Sequence, residues 1–212
     1  ALGRHVCIAR HGQFGRLVKP GAIVAGLRAI GFRGVREVAS GADCDTLLLT
    51  NRLAEKLATQ RYGGAVSIDA AGSGQEVPVG QQRQREVTCT DFLGTSCCPS
   101  WVQTARRYFP EYSGNIAESY TPMVETARII KGKEPDAKVV FIGPCIAKKG
   151  EALEAEVRPF VDHVLTFEEL AAIFIAKGID LSTIEVAEFP PDASTLGRGY
   201  AIAGGVAGAI IE

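Results

Sequence analysis

The stretch TSCCPSW, residues 95–101, sets Cys97 and Cys98 side by side ahead of a proline, and GPCIAKKGE, residues 143–151, carries another cysteine, Cys145. Adjacent cysteines are badly placed to bond each other, and a short turn has no obvious structural need for two. Thiolates bind soft metals, and iron–sulfur clusters are usually held by four of them. Consecutive residues project in different directions, so one sulfur of the pair can bind a cluster while its neighbour faces a second compartment. Around Cys145, Gly143 and Pro144 make a turn that presents the sulfur, and Lys148 brings an ammonium three residues on. A nearby positive charge favours the thiolate, the form that binds metal. Each segment alone also admits a plainer reading: two structural thiols in SCCP, and a buried apolar cysteine beside two solvated lysines in GPCIAKKGE. No C-x-x-C occurs, and His5, His11 and His163 are far from the pair in sequence, which argues against a zinc finger or ribbon.

Whatever the three sulfurs do, the elements around them must position them. AKVVFIG, residues 137–143, is a continuous β-branched and aromatic run of the kind covered on both faces. Cys145 falls just past its carboxyl end, where open α/β sheets collect ligands. VCIA (6–9), VREVA (35–39) and DHVLT (162–166) read as further strands. A helix opens at Pro20, with Ile23, Leu27 and Ile30 at helical spacing and Gly31 as its stop. In residues 41–60, Leu49, Leu53 and Leu57 share a face, with Asp43 or Asp45 as a cap. Residues 100–112 read as helical as far as Pro110. TPMVETARIIKGK predicts a clearer helix, capped by Thr121, with Pro122 at its first position and Met123, Ala127 and Ile130 turned inward. A capping box, Thr166 with Glu169, starts FEELAAIFIAKG. Strands alternating with helices predict an α/β protein with a parallel sheet. Residues 61–90 break the rhythm with Gly, Gln and Arg and no sustained period, and are read as a surface loop or hairpin insertion.

Composition limits the function classes. The chain has 212 residues, 46% hydrophobic and 22% charged, the profile of an ordinary globular protein. A net charge of −1 gives no reason to expect a nucleic-acid or anionic-membrane partner. No apolar run reaches the roughly 20 residues of a membrane span, and the first residues lack a signal peptide's pattern. These features predict a cytoplasmic protein whose thiols are reduced or metal-bound rather than paired. The single methionine is Met123 and the chain opens on Ala1, so the sequence reads as an excerpt from a longer protein.

TSCCPSW and GPCIAKKGE together resemble the first and second signatures of the catalytic domain of iron-only (FeFe) hydrogenases. The likeness extends through KPGAIVAGLRAIGFRGVREVASGAD, YFPEYSGNIAESYTPM and DHVLTFEELAAIF, nearly the whole chain apart from residues 61–90. It implies two lobes of mainly parallel β-sheet flanked by helices, with the active-site H-cluster between them. It also implies that Cys98 and Cys145 are ligands of the 4Fe–4S part, and that Cys97 passes protons to the two-iron part. Lys148 corresponds to the lysine that hydrogen-bonds an iron-bound cyanide, and Pro122 to a residue lining the pocket. Cys7, Cys44 and Cys89 match no ligand position, and His11 and His163 are assigned no role.

The departures from the family pattern are informative as well. Its third cysteine signature, which supplies the other two ligands, does not occur in this sequence, so the excerpt is expected to hold a complete cluster poorly. Efficient members relay protons through two glutamates and a serine; here those positions are Leu49, Arg52 and Ala117. Leucine and alanine carry no proton, and arginine stays charged. Gly143 replaces the usual methionine before the proline. The wording is closer to the family's sensory branch. The resemblance therefore implies a hydrogenase-like iron–sulfur domain that senses hydrogen or regulates, with weak or no turnover. The alternatives are a slow FeFe hydrogenase served by a ferredoxin-like electron partner, and an iron–sulfur protein assembly factor. In the sensory reading the partners are flanking signalling domains, and hydrogen is the small-molecule ligand.

Overall fold

In a computed structural model the apolar run KVVFI forms strand β3 (Lys138–Ile142), an inner strand of a four-stranded sheet. The structure describes residues 4–8, 18–62, 92–189 and 192–212. The other strands are β1 (Arg4–Ile8), β2 (Gly34–Glu37) and β4 (His163–Leu165), in the order β2-β1-β3-β4. Every pairing is parallel, with Val6 beside Val35 and Val140, and Phe141 beside Val164. The expected α/β architecture is therefore present. Beyond this sheet, the only other pairing among the described residues is one parallel bridge, between Gly94 and Ile116.

Alternation along β3 explains its unbroken apolar run. Val139 and Phe141 join a core with Met123, Val124, Ala127 and Ile130 of helix α4 (Pro122–Lys133). Val140 and Ile142 point to the opposite face, against Val24 and Leu27 of α1 (Pro20–Ala29) and Phe167, Leu170 and Phe174 of α6 (Phe167–Ala176). Both faces are covered, so neither set of side chains can be polar. Helix α1 ends at Ala29, and Gly31, just past the Ile30 cap, takes a φ of 102°, where a side chain would be strained. The capping box of α6 is complete, with Glu169 N–H donating to Thr166 Oγ1 at 3.2 Å and Thr166 N–H to Glu169 Oε2 at 2.8 Å.

Helix α2 (Ala39–Tyr62) begins earlier than the sequence implied, so Asp43 and Asp45 are interior residues rather than caps. Tertiary partners decide their roles instead. The Asp43 carboxylate accepts hydrogen bonds from the Ser194 and Gly197 amides at 2.8 and 3.0 Å, at the start of α7 (Thr195–Gly199). Asp45 points into the molecule and is fully buried. On the apolar face, Leu49 is buried, Leu53 is partly covered and Leu57 is exposed, so the stripe is buried only at its first turns. Gly41 lets α2 approach α4: a Cβ there would lie 2.2 Å from the Pro122 carbonyl oxygen.

Helix α3 (Pro99–Tyr108) stops before Pro110, as expected, and a short 3-10 helix follows over Pro110–Asn115. Helix α5 (Ala147–Glu151) lies just past Cys145, and α8 (Gly205–Ile211) closes the described chain. The insertion expected at 61–90 lies outside the described residues, except that α2 runs through Tyr62. No helix among the described residues is long and apolar enough to cross a membrane.

Candidate metal centre

From β1 the chain crosses to β2 on one side, and β3 is followed by β4 on the other, so the carboxyl ends of β1 and β3 flank a point where the connections diverge. Such points open a crevice above the sheet. The chain leaves β3 through Gly143, whose N–H donates to the Leu165 carbonyl at 3.1 Å, and then presents Cys145 half-buried at that end.

Cys98 arrives from elsewhere in the chain. It is the N-cap of α3, with extended backbone (φ −116°, ψ 107°), and Pro99 takes the first helical turn. Val102 N–H donates to its carbonyl at 3.0 Å. The turn before it is fastened by parallel ladder bonds, Gly94 N–H to Asn115 O and Ala117 N–H to Gly94 O, both 2.8 Å. Ser96 adds a side-chain bond to the Ser119 carbonyl at 2.8 Å. Both cysteines of the pair are half-buried, and all of Cys44, Cys97, Cys98 and Cys145 are free thiols.

Lys148 joins the two cysteine segments. Its backbone N–H donates to the Cys145 carbonyl at 3.3 Å, and its ammonium, almost fully buried, donates to the Cys97 carbonyl at 3.4 Å. The same ammonium pairs with Glu151 at 2.8 Å. Glu151 in turn accepts from Thr121 Oγ1 at 2.7 Å, next to the half-buried Pro122 at the start of α4. Thr121 thus stands at the N-cap position, but its hydroxyl serves Glu151 instead of the helix. With those two acceptors, one of the three ammonium protons remains for a ligand. Of the five residues singled out from the sequence, Lys148 bonds the backbones of Cys97 and Cys145, while Cys98 and Pro122 adjoin this network through their chain neighbours Cys97 and Thr121.

Burial pushes the Cys97 thiol above its ordinary range; its contact with Thr95 Oγ1 at 3.5 Å opposes this, as does the Lys148 charge, while Asp45 and Cys98 add to it. Asp45 is pushed up to about 6, chiefly by burial, against the Ser119 hydrogen bond at 2.8 Å. Glu125 raises it further and Lys148 lowers it. Its second oxygen, Oδ2, is buried with no hydrogen-bond partner among the described residues. Cys44 is held up by burial and by Glu125, Asp43 and Asp45, which disfavours the metal-binding thiolate. Where the family pattern has its relay, Leu49 and Ala117 are buried and Arg52 is exposed. His163 is exposed at the start of β4; Cys89 and His11 lie outside the described residues.

Sequence reasoning did not single out Ser96, Ser119 or Glu151, and it read Asp45 and Thr121 only as helix caps. Glu151 carried a signal, because three residues after Lys148 on a helix is ion-pair spacing. The others are assembled from distant segments.

The model of the iron-only hydrogenase large subunit, C-terminal domain, matches residues 6–212. This chain belongs to that family. Iron hydrogenase 1 of Clostridium pasteurianum is 33% identical over 127 residues, covering 54% of this chain and 21% of the relative. The periplasmic Fe hydrogenase large subunit of Nitratidesulfovibrio vulgaris is 35% identical over 102 residues, covering 42% of this chain and 24% of that protein. Among solved structures, a variant of the FeFe hydrogenase HydA1 from Chlamydomonas reinhardtii superposes with a TM-score of 0.68 at 21% identity, covering 90% of this chain and 46% of that one. That likeness establishes the iron-only hydrogenase fold. The chain spans about a quarter or less of the curated relatives it matches, and about half of that solved structure.

The donor chemistry fits this family's cluster in part. Free, half-buried Cys98 and Cys145 sit at a helix start and a strand end that one buried lysine holds together. Among the described residues no group of three or more His, Cys, Asp or Glu side chains is arranged to hold a metal ion.

Proposed function

We propose that this domain uses Cys98 and Cys145 as two thiolate ligands of a hydrogenase-type iron–sulfur centre, and that it serves hydrogen sensing or regulation with weak or no turnover. The observation that carries this reading is Lys148, whose backbone binds the Cys145 carbonyl while its ammonium binds that of Cys97. When bound, the two-iron part of such a centre supplies hydrogen activation and the cubane supplies electron exchange. The chain's own residues do the rest. Glu151 and Thr121 fix the Lys148 ammonium, whose free proton is available to an anionic ligand on the metal. Cys97, beside the cysteine ligand but not itself a ligand, holds and passes protons as the general acid or base.

Weak turnover follows from proton supply. A buried leucine and alanine at positions 49 and 117, and a permanently charged arginine at 52, interrupt the route by which efficient members exchange protons with solvent. A second reading, a slow hydrogenase working with a ferredoxin-like partner, is favoured by the retention of both Cys97 and a buried Lys148. In the sensory reading, flanking signalling domains receive the state of the cluster. The cytoplasmic setting expected from the sequence is part of this proposal.

The test is anaerobic maturation of the complete protein, followed by infrared spectroscopy for iron-bound carbon monoxide and cyanide. Those bands are expected, together with hydrogen–deuterium exchange and a low turnover rate. Absence of the bands removes the two-iron site from the reading, and rapid turnover selects the enzyme over the sensor. Cys97→Ser should keep the cluster and lose proton exchange, whereas Cys98→Ser should lose iron. If Cys97→Ser loses the iron instead, the roles given to the two sulfurs are wrong.

A further inference from the structure

Asp45 lies one helical turn before Leu49 on the same face of α2, and Ser119 lies two residues after Ala117. The carboxyl and hydroxyl missing from positions 49 and 117 are therefore both present nearby, but displaced. They are also connected. Ser119 Oγ donates to Asp45 Oδ1 at 2.8 Å, and Ser96 Oγ lies 2.7 Å from Ser119 Oγ. Ser96 immediately precedes Cys97, so this line of oxygens runs from the interior of α2 to the cysteine turn.

Asp45 is fully buried, and its Oδ2 has no partner among the described residues. A structural carboxylate buried this deeply would be expected to satisfy both oxygens. The groups that interact with it electrostatically are Glu125 on α4, Lys148 on α5, Cys97 before α3, Tyr200 after α7, and the neighbouring Cys44 on its own helix. Of these only Lys148 is cationic, and Glu151 already pairs with it.

We propose that Asp45 is an internal proton store, whose buried carboxyl exchanges its proton with the cleft through the hydroxyls of Ser119 and Ser96. In the outward step Asp45 donates from Oδ1 to Ser119 Oγ and Ser119 passes its own proton to Ser96 Oγ. Ser96, turning its hydroxyl away from the Ser119 carbonyl it bonds at 2.8 Å, hands its own proton to a water molecule in the cleft, which carries it as hydronium. Only O–H bonds are broken and made, and the reverse step refills the store. The inference rests on the proposed role of the cleft beside Cys97. It explains how a domain without the relay to solvent can still exchange a proton at its centre while turning over slowly.

The deciding measurement is infrared spectroscopy of the carboxylic C=O band of the anaerobically prepared full protein, before and after maturation, in light and heavy water. One protonated carboxyl band is expected to persist at pH 5 and to bleach as pH rises through about 6. Asp45→Asn should remove it, and Ser119→Ala should shift its frequency. Ser96 does not touch Asp45, so Ser96→Ala should leave the midpoint in place and slow deuteration of the band about tenfold or more. An unchanged deuteration rate in Ser96→Ala overturns the proposal, as does the absence of any band assignable to Asp45. If Asp45→Asn does not fold, the Ser119→Ala shift assigns the band and the Ser96→Ala rate still decides. Loss of the cluster bands with the carboxyl exchange intact would sink the proposed function and leave the proton store standing.

Discussion

Asp45 and Glu37 are both fully buried carboxyl side chains, and their surroundings treat them in opposite ways. Glu37 is gripped by Arg198, which donates from Nε at 3.0 Å and from Nη2 at 2.8 Å. Asp45 has one hydroxyl and one orphaned oxygen. Its folded pKa of about 6 against an ordinary 3.8 means that between those values the folded state keeps a proton the unfolded state releases. Stability therefore falls as pH rises from about 4 to about 6, by up to about 3 kcal/mol from this group alone. Asp162 and Glu169, whose pKa values are lowered, work in the other direction, so the group must be isolated by difference. Urea unfolding of wild type and Asp45→Asn at pH 4.5 and pH 7 should show the variant gaining relative stability at the higher pH. Equal pH dependence of the two proteins would mean that Asp45 is ionised throughout.

At the scale of elements, α2 and α4 pack closely where α4 begins. Gly41 brings the two helices together, and an added Cβ would meet two backbone atoms, the Pro122 oxygen at 2.2 Å and the Thr126 nitrogen at 2.9 Å. Backbone atoms cannot swing aside as a flexible side chain can. Gly41→Ala should therefore push α4 outward, at a cost of about 2 kcal/mol typical of overpacking. Thr121 and Pro122 open α4, so the same shift should loosen the Thr121–Glu151–Lys148 chain and lower the iron retained after maturation. Thermal unfolding and iron analysis of the variant check both effects; an unchanged melting temperature would show that the helices separate without strain.

At the scale of the molecule, the segment after residue 192 is seated by charge as well as by packing. Arg198 grips Glu37 at the end of β2, Arg36 pairs with Asp192 at 2.9 Å, and Asp43 receives the start of α7. Tyr200 reaches Thr46 at 2.9 Å, and burial pushes its hydroxyl up to about 12. Removing Arg198 leaves the buried Glu37 carboxylate without its charge partner. Arg198→Ala should therefore cost about 3 kcal/mol, the lower end for a broken buried pair because Arg198 is itself partly exposed. Urea unfolding at pH 7 measures this. A loss near zero would mean that the Arg198–Glu37 pair adds nothing to the hold of the other contacts on this segment.

By itself the sequence determined the period of each element and the identity of the thiols. The run over β3, the capping box at Thr166 and the inward stripe of α4 are local patterns, set by side chains a few residues apart. The cysteine signatures are local too, so Cys97, Cys98, Cys145 and Lys148 could be named before any coordinate was known. Only the tertiary structure decided which of the acidic side chains are buried and what they meet. Asp45 meets Ser119 from 74 residues away and Glu37 meets Arg198 from 161. Burial and its electrostatic consequences depend on what other segments bring to the same volume, and no short-range spacing records that.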